Sequence, residues 1–384
     1  MTEGKSSMLN RLLQFGEPAP WFAAPTESSS AFHFDTVAGR YVLLMFFQSA
    51  GRANSNLILT ELMQQRAKFD DDFVTFFGVS TDPLDQQLRR VQEQVPGMRF
   101  YWDFDQAVSR LYGALQSDPA TGEEKYVCHS ILFDTRLRTL ITVPFDEPET
   151  YVTRLLRMIE TIPPLAQPTL AASQAPVLIV PRVFEPEFCR HLISQYEQHG
   201  GTESGFMRDE AGKTVGVYDH SHKRRQDFEI PDEQLRRACM IRIHNRLVPE
   251  IEKAFQFKAT RMERYIVACY DGSQGAHFRA HRDNTTKGTA HRKFAVSLVL
   301  NTGEFDGGFV WFPEYGRQLF APPAGGAVVF SCSLLHEATP VTRGKRFVFL
   351  PFLYDDTAAR LREQNLRFVG GDANTPEQAQ QAAG

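Results

Sequence analysis

The sequence predicts a two-domain chain in which an α/β domain precedes an antiparallel jelly roll, or double-stranded β-helix, with flanking helices. The chain has 384 residues, more than a single domain of roughly 100–200 residues usually holds. Its first part alternates strand-like and helix-like runs, as expected for a central sheet covered by helices. Its second part has two helical runs followed by about seven short strands separated by turn residues, which is typical of antiparallel double-sheet folds.

The α/β prediction depends on the order of elements in the first part. An apolar run at 41–47 has the character of a buried strand, 54–69 has apolar residues at helical spacing, and 73–79 resumes a strand. This order indicates a βαβ unit. A helix after Pro83, two apolar runs that can pair as a hairpin, and an amphipathic run at 149–162 complete a sheet flanked by helices.

A proline-rich segment separates the two parts. Residues 163–176 contain four prolines among Ala, Ser and Gln, a composition that favours an extended spacer. We therefore place an N-terminal domain at 1–162, a linker at 163–176 and a C-terminal domain at 177–356. Residues 357–384 are expected to hold a short helix and then a disordered tail, because the final stretch has few apolar side chains.

Composition restricts the classes of partner. Lys and Arg total 42 and Asp and Glu total 46, for a net charge of −4, and 42% of the residues are hydrophobic. Such a chain is expected to be globular, with no nucleic acid as partner. The opening residues lack the apolar core of a secretory signal and no stretch is long enough to span a bilayer, so a cytoplasmic protein without membrane contact is expected. The five cysteines show no C-x-x-C spacing, which argues against a disulfide framework and against a cysteine-rich zinc site.

Four segments of the first part carry a resemblance to a known superfamily: GEPAPWFAAPT, VLLMFFQSAGRANSN, FFGVSTDP and SILFD. On these segments, residues 14–162 resemble the thioredoxin-like superfamily and, within it, the peroxiredoxin branch. Peroxiredoxins have a peroxidatic cysteine in the loop after the first central strand, where this chain has GRANS at 51–55. Peroxide reduction requires a low-pKa thiolate. The domain is therefore expected to be redox-inactive, with Cys128 as a packed core thiol.

A polar stretch at 207–228 precedes the strands of the second part. It contains Asp219, His220 and His222 in the order D-H-S-H, which could ligate a metal, but the surrounding glycines and charges favour a flexible loop or an active-site lid. The basic run 223–225 that follows is interpreted as a solvated patch.

Three residues form the candidate metal site: His281, Asp283 and His336. The first two lie two apart in a predicted strand, so their side chains leave the same face and can bind one ion, and His336 ends a later apolar strand that can return beside them. Two histidines and one carboxylate hold Fe(II) in non-haem oxygenases and leave adjacent positions for a cosubstrate and dioxygen. His277 is a candidate for a supporting role, a substrate contact or a rim position.

Arg346 is the candidate for binding an acid. After a turn the chain re-enters a strand in which Arg346, Val348 and Leu350 share one face. A guanidinium binds a carboxylate through two hydrogen bonds, and a buried arginine needs an anion to offset its lost hydration. The acid group of a 2-oxo acid fits this requirement. Arg343, in the preceding turn, is the rival for the same role.

These residues belong to a longer ordered pattern: Tyr270, Phe278, His281, Asp283, Leu300, Asn301, Gly307, Gly308, Phe312, Pro313, Gly325, His336, Pro340, Val341, Gly344 and Arg346. On this pattern, residues 177–356 resemble the iron(II)- and 2-oxoglutarate-dependent dioxygenases of the prolyl 4-hydroxylase-like group. The chain departs from the pattern in a longer interval between Tyr270 and His281. It also has Leu298 or Val299 in place of a strand tyrosine that some members use for the cosubstrate.

The resemblance implies an activity and a set of roles. The candidate metal site would bind Fe(II), Arg346 would hold the distal carboxylate of 2-oxoglutarate, and these four residues would be the catalytic ones. Tyr270 and Asn301 are further candidates for cosubstrate binding. The implied reaction oxidatively decarboxylates 2-oxoglutarate to succinate and CO2 and hydroxylates a C–H bond, with ascorbate as an additional cofactor.

Two other functions stay open on the sequence alone. The chain could be a non-catalytic binding or sensing protein, because one domain lacks the chemistry of its relatives. A thiol peroxidase is the other, although it would need the thiol that the 51–55 loop lacks. A peptide side chain or a small molecule is expected as substrate. Specificity depends on loops, so the sequence leaves the substrate undetermined, and it gives no oligomeric state.

Overall fold

The computed structural model describes residues 10–170 and 173–370. The expected disordered tail and most of the opening segment lie outside these ranges. The chain divides after Thr169 into two compact units, here called the N-terminal and the C-terminal unit. The division falls within the proline-rich segment. No helix in the described ranges has the length and apolar character that crossing a membrane requires.

The N-terminal unit has nine strands and four α-helices among its described residues. The strands are β1 (Ala23–Ala24), β2 (Phe32–His33), β3 (Tyr41–Gln48), β4 (Val74–Ser80), β5 (Met98–Trp102), β6 (Leu115–Ser117), β7 (Glu124–Tyr126), β8 (His129–Phe133) and β9 (Thr139–Pro144). The helices are α1 (Ala53–Gln64), α2 (Pro83–Gln87), α3 (Ala107–Leu111) and α4 (Pro148–Glu160), with 3-10 turns at Phe34–Val37 and Arg66–Lys68.

A five-stranded sheet in the order β5-β4-β3-β8-β9 forms the centre of this unit. Strands β3, β4 and β5 are parallel, whereas β8 and β9 form an antiparallel hairpin beside β3. Strand β3 is apolar and buried from Tyr41 to Phe47 because both faces are covered. Leu43, Met45 and Phe47 pack in the core that includes α1 and α4, and Val42 and Leu44 pack in the core on the opposite face. The structure confirms the predicted α/β fold of the thioredoxin-like type.

In the part that the structure describes, the C-terminal unit has four α-helices and a larger set of strands. The helices are α5 (Pro186–His199), α6 (Glu233–Arg246), α7 (Val248–Phe255) and α8 (Asp356–Asn365), with 3-10 turns at Gly272–Gln274, Pro313–Tyr315 and Leu366–Phe368. The strands before the predicted strand-rich region are β10 (Leu178–Val180), β11 (Thr202–Glu203), β12 (Phe206–Glu210), β13 (Lys213–Val217), β14 (Lys223–Arg224) and β15 (Gln226–Glu229). The remaining strands are β16 (Arg261–Glu263), β17 (Ile266–Asp271), β18 (His277–His281), β19 (Phe294–Val299), β20 (Asp306–Gly307), β21 (Val310–Trp311), β22 (Leu319–Phe320), β23 (Ala327–Ser331), β24 (His336–Ala338), β25 (Val341–Arg343), β26 (Lys345–Phe349) and β27 (Phe352–Tyr354).

Two antiparallel sheets make the predicted jelly roll. The larger runs β10-β23-β19-β26-β17-β15-β11, with β27 pairing β16 and β19, and the smaller runs β14-β18-β24-β21-β22. Side-chain alternation along β26 shows how they pack: Phe347 and Phe349 join the core that contains the α5, α6 and α7 side chains, while Val348 packs in a separate core with Ala338 of β24. The interior between the sheets is therefore lined by β26 residues that alternate with the helix-facing ones.

The polar stretch at 207–228 is not the irregular loop that its composition suggested. Strands β12 and β13 pair as a hairpin, and β14 and β15 each join one of the two sheets. The hairpin turns at Ala211 and Gly212, which both have positive φ values, of 48° and 82°. Two consecutive positive φ values match the handed turn that joins twisted antiparallel strands. The glycine at 212 was the sequence signal for this hairpin.

Candidate metal centre

The structure brings His281, Asp283 and His336 together. One ligand atom from each lies within 4.8 Å of the others, and this is the one such grouping of His, Cys, Asp or Glu in the described ranges. The Nε2 atoms of His281 and His336 lie 3.5 Å and 3.4 Å from the two carboxylate oxygens of Asp283. Three donors around one point, two imidazoles and one carboxylate, match the ligand set that binds ferrous iron and leaves coordination positions free.

Strand pairing explains the position of the histidines. His281 ends β18 and His336 begins β24, and the two are opposite each other in the antiparallel register. Asp283 lies two residues beyond the end of β18, where its N–H donates to the carbonyl of Cys332 at 3.0 Å. The three side chains thus converge because a turn follows the strand, and not through strand alternation alone as the two-residue spacing suggested.

Each imidazole is oriented by a backbone carbonyl. Nδ1 of His281 lies 2.7 Å from the carbonyl of Arg279, and Nδ1 of His336 lies 3.1 Å from that of Leu334. A carbonyl only accepts, so the proton is on Nδ1 and the lone pair of each Nε2 points toward the shared centre. The ring of Phe278 stacks on His281 with 3.5 Å between centroids. The donors are therefore held in place before a metal arrives.

The protonation states suit metal binding. Burial opposes the charge of Asp283, but the neighbouring histidines outweigh it and hold the pKa of this carboxyl well below its usual range. Burial lowers the pKa of His336 to about 4. At neutral pH the site thus offers an ionised carboxylate and a neutral imidazole, which are the states that coordinate metals.

Arg346 lines the same pocket as the three donors. It is 2% exposed, its Nη2 donates to Oγ of Ser297 at 3.0 Å, and its Cζ lies 5.0 Å from the ring centre of Tyr270. Burial lowers its pKa to about 10. In the part of the chain that the structure describes, no carboxylate forms an ion pair with it. A carboxylate ligand would supply the counterion that this buried guanidinium lacks.

Tyr270 is the second predicted cosubstrate residue at the pocket. It lies opposite Arg346 in the pairing of β17 with β26, and both side chains line the cavity. Its hydroxyl accepts a hydrogen bond from Nη1 of Arg225 at 3.3 Å. The longer interval between Tyr270 and His281 does not remove the tyrosine from the site, because it is taken up by the Gly272–Gln274 turn.

Asn301 is placed elsewhere. Its amide Nδ2 donates to the carbonyl of Lys345 at 2.8 Å and its Oδ1 accepts from the N–H of Phe347 at 3.0 Å. These bonds join the end of β19 to β26, and Asn301 is not among the residues that line the pocket. The side chain holds two strands together, which the pattern match alone did not reveal.

Replacing Asn301 with alanine is expected to lower the free energy of unfolding of the C-terminal unit by about 1–3 kcal/mol. The change leaves the buried N–H of Phe347 without its acceptor, which carries a penalty of this size. Urea denaturation followed by circular dichroism measures it. The affinity for 2-oxoglutarate should stay within about twofold of the unaltered protein. A severely raised 2-oxoglutarate requirement would instead return Asn301 to the cosubstrate site.

Two basic residues of the pocket wall, Arg225 and Arg264, and the neighbouring Lys223 were missed or misread. Lys223 and Arg225, interpreted as a solvated patch, are each 5% exposed, while Arg224 between them is exposed. Arg225 and Arg264 line the pocket, and Nζ of Lys223 lies 4.8 Å from the ring centre of Phe278. The alternation of buried and exposed residues is that of a strand. Assigning residues 223–229 as a strand would have shown that Lys223 and Arg225 lie on its buried face.

The rival positions do not enter the pocket. Arg343 is exposed and its Nε pairs with Asp306 at 2.5 Å. His277 is engaged by the carbonyls of Gly275 and Ser221 at 2.9 Å and 3.2 Å. Neither lines the cavity.

The D-H-S-H segment does not form a metal site. His220 points to Glu203 at 3.4 Å, whereas His222 packs against the rings of Phe206 and Phe278. No metal-type grouping within the described ranges includes these histidines. His220 therefore contacts a surface carboxylate, and His222 makes an aromatic contact.

The N-terminal unit holds one cysteine, Cys128. Burial raises the pKa of its thiol to about 11, so the thiol form dominates at neutral pH. The loop after β3 is tied down by Asp85, which accepts from the N–H of Ala50 at 2.8 Å and from Oγ of Ser80 at 2.7 Å. These bonds to a buried carboxylate fix Ala50, at the start of the 51–55 segment that has no cysteine.

Comparisons with known proteins match the two units separately. Residues 265–354 match the family model described as the 2OG-Fe(II) oxygenase superfamily, and residues 15–152 match that of the AhpC/TSA family. The PKHD-type hydroxylase GOX0559 of Gluconobacter oxydans is 27% identical over 197 residues, which are 48% of this chain and 82% of that protein.

Solved structures are similar to parts of the chain. A prolyl hydroxylase from Trichoplax adhaerens, in complex with a hypoxia inducible factor peptide fragment, is 18% identical with a TM-score of 0.36, covering 49% of this chain and 86% of that one. The bacterioferritin comigratory protein of Xanthomonas campestris is 14% identical with a TM-score of 0.33, covering 38% of this chain and 96% of that one. The family matches, together with the folds described above, identify one domain of each kind in this chain.

Proposed function

We propose that this chain, which joins an AhpC/TSA-family domain to a 2OG-Fe(II) oxygenase domain, hydroxylates a C–H bond of its substrate while converting 2-oxoglutarate and dioxygen to succinate and CO2. The observation that carries the proposal is the pocket of the C-terminal unit. It contains the three converged donors and a buried arginine that lacks a counterion. An iron ion and a dicarboxylate would satisfy both features.

The residues of the pocket fit this pair of ligands. We assign His281, Asp283 and His336 as the iron ligands and Arg346 as the group that binds the distal carboxylate of 2-oxoglutarate. Iron, when bound there, supplies the activation of dioxygen that couples decarboxylation to hydroxylation. Ser297 orients Arg346 by accepting a hydrogen bond from it.

The pocket wall has its own contribution. Phe278, Val296 and Phe330 line the cavity beside the donors and limit the access of water. Exclusion of water strengthens the interaction between a guanidinium and a carboxylate, because the local dielectric falls. The same apolar wall would protect a reactive centre from solvent.

The test is succinate formation by the purified full chain. Protein loaded anaerobically with Fe(II) and 2-oxoglutarate is exposed to oxygen, and succinate is measured with and without ascorbate, which we propose as an additional cofactor. Slow uncoupled succinate release is expected, absent when either Fe(II) or 2-oxoglutarate is omitted. A peptide or small-molecule substrate should raise the rate. No succinate above the metal-free background would overturn the proposal and favour the non-catalytic binding protein.

A further inference from the structure

The pocket contains more arginine than the cosubstrate requires. Arg225 and Arg264 line it together with Arg346. The guanidinium of Arg225 is already engaged, because its Nε donates to Oδ1 of Asp227 at 2.7 Å and its Nη2 donates to Oδ2 at 2.6 Å. Arg346 is assigned to the distal carboxylate of 2-oxoglutarate. Arg264 is the cation that remains.

Arg264 is incompletely neutralised. Among the described residues, the one carboxylate within ion-pair distance of it is Asp227, whose Oδ2 lies 3.5 Å from Nη2. That oxygen already accepts from Arg225 and, at 2.6 Å, from Oγ of Ser204. Burial and then the charge of Arg225 lower the pKa of Arg264 to about 10, despite Asp227. A partly buried cation that shares its one ion-pair partner with another arginine is stabilised when an anion binds beside it.

Among the described residues, no other carboxylate of the pocket wall forms an ion pair with Arg264, and the charge of Asp283 acts on it only from a longer distance. The wall includes Asp283 and Glu337. Asp283 belongs to the metal site, and in the part of the chain that the structure describes Glu337 forms no ion pair with Arg264. The side chain of Arg264 keeps 29% of its surface exposed. A ligand that enters the pocket can therefore reach it.

The backbone at Arg264 supports a functional reading. Its φ is +68°, in the left-handed region that non-glycine residues rarely adopt. The residue lies between β16 and β17, where a glycine would relieve the conformational cost. Strained backbone at a non-glycine residue is concentrated at ligand-binding positions. Here the strain accompanies a guanidinium at the wall of the pocket.

We propose that Arg264 binds a carboxylate of the substrate and so sets its specificity. The inference rests on the proposed function and names the substrate class for the same site. A single guanidinium with an incomplete partner matches one negative charge, which favours a carboxylate over a phosphate dianion. Arg225 lines the same pocket as Arg346 and Arg264. The carboxylate could be the terminal group of an amino acid derivative or an acidic side chain in a peptide.

The experiment compares acids with their amides. The full chain is loaded anaerobically with Fe(II) and saturating 2-oxoglutarate, and the visible absorption band is followed while N-acetyl amino acids, or their amides, are titrated. A second arm uses blocked tripeptides with central Asp or Glu against Asn or Gln. We expect at least one acid to perturb the band with an affinity at least tenfold above its amide, and the arm that responds identifies the source of the carboxylate.

Three variants locate the effect. Arg264→Gln should lower the affinity for the responding acid at least tenfold, Arg264→Lys should recover part of it, and both should bind 2-oxoglutarate within about twofold of the unaltered protein. Arg261→Gln is the matched control, because Arg261 is on the adjacent strand, exposed and paired with Asp356 at 2.8 Å. It should leave both affinities unchanged. A second readout is the unfolding midpoint of the metal-free chain, which the responding acid should raise in the unaltered protein and not in Arg264→Gln.

Each contrary result is specific. Equal effects of acids and amides, or no effect of any acid, would overturn the inference. A raised 2-oxoglutarate requirement in Arg264→Gln would make Arg264 part of the cosubstrate site and would also overturn it. Failure of the proposed function is separate, since the unaltered protein would then develop no band with Fe(II) and 2-oxoglutarate before any acid is added.

Discussion

Replacement of His281 or of Asp283 by alanine is expected to abolish the weak visible band that the protein develops with Fe(II) and 2-oxoglutarate in the absence of oxygen. The band requires iron with the 2-oxo acid bound to it, and each change removes one of the three protein donors found among the described residues. Loss of a group that merely orients a ligand weakens metal binding about 10- to 100-fold, so loss of a ligand should cost at least about 100-fold. Anaerobic titration with Fe(II), followed by absorbance, measures the change.

His277→Ala is the matched control for this experiment. His277 lies on the same strand as His281, and its imidazole is held by two backbone carbonyls away from the pocket wall. The band should be retained at nearly full intensity. If His281→Ala or Asp283→Ala kept the band, the assignment of iron to this site would be wrong. Circular dichroism of both variants would establish that their loss of the band is not caused by unfolding.

Much of the site could be anticipated from the order of strands. Side chains alternate between the two faces of a strand. Because Phe347 and Phe349 face the helices, their neighbour Arg346 faces the interior, and so does Tyr270, which is opposite Arg346 on β17. His281 and His336 lie together because β18 pairs with β24, and the ordered pattern in the sequence already implied this pairing. The pairing of distant strands can be predicted from the sequence where one face of a strand is strictly apolar.

The remaining parts depended on the fold in ways that local pattern does not encode. The match of Asn301 to a family position said nothing about its hydrogen bonds, which are to the β26 backbone. The buried Lys223 and Arg225 resembled a surface patch, because charge alone gives no information on which residues a neighbouring strand will cover. Their burial follows from the short strands β14 and β15 on either side of Arg225; β14 is entirely polar, and Phe228 is the one apolar residue of β15. Polar strands of two to four residues lack the apolar period by which strands are usually identified.

Replacement of Arg346 by glutamine is expected to raise the concentration of 2-oxoglutarate needed for half-maximal succinate formation by at least about 30-fold. The variant loses a charged bond to a carboxylate in a buried pocket, and truncation of one partner of such a pair costs about 2–5 kcal/mol, with each 1.4 kcal/mol equal to a factor of ten. Fe(II) binding in the absence of 2-oxoglutarate should be unchanged, because the three donors are untouched. The free energy of unfolding without ligands should stay the same or rise, since the change removes a buried cation that lacks a counterion. Arg343→Gln, at an exposed position paired with Asp306, should leave the requirement within about twofold. The reverse outcome, a severe effect at Arg343 and none at Arg346, would transfer the carboxylate to the turn and contradict the geometry of the pocket.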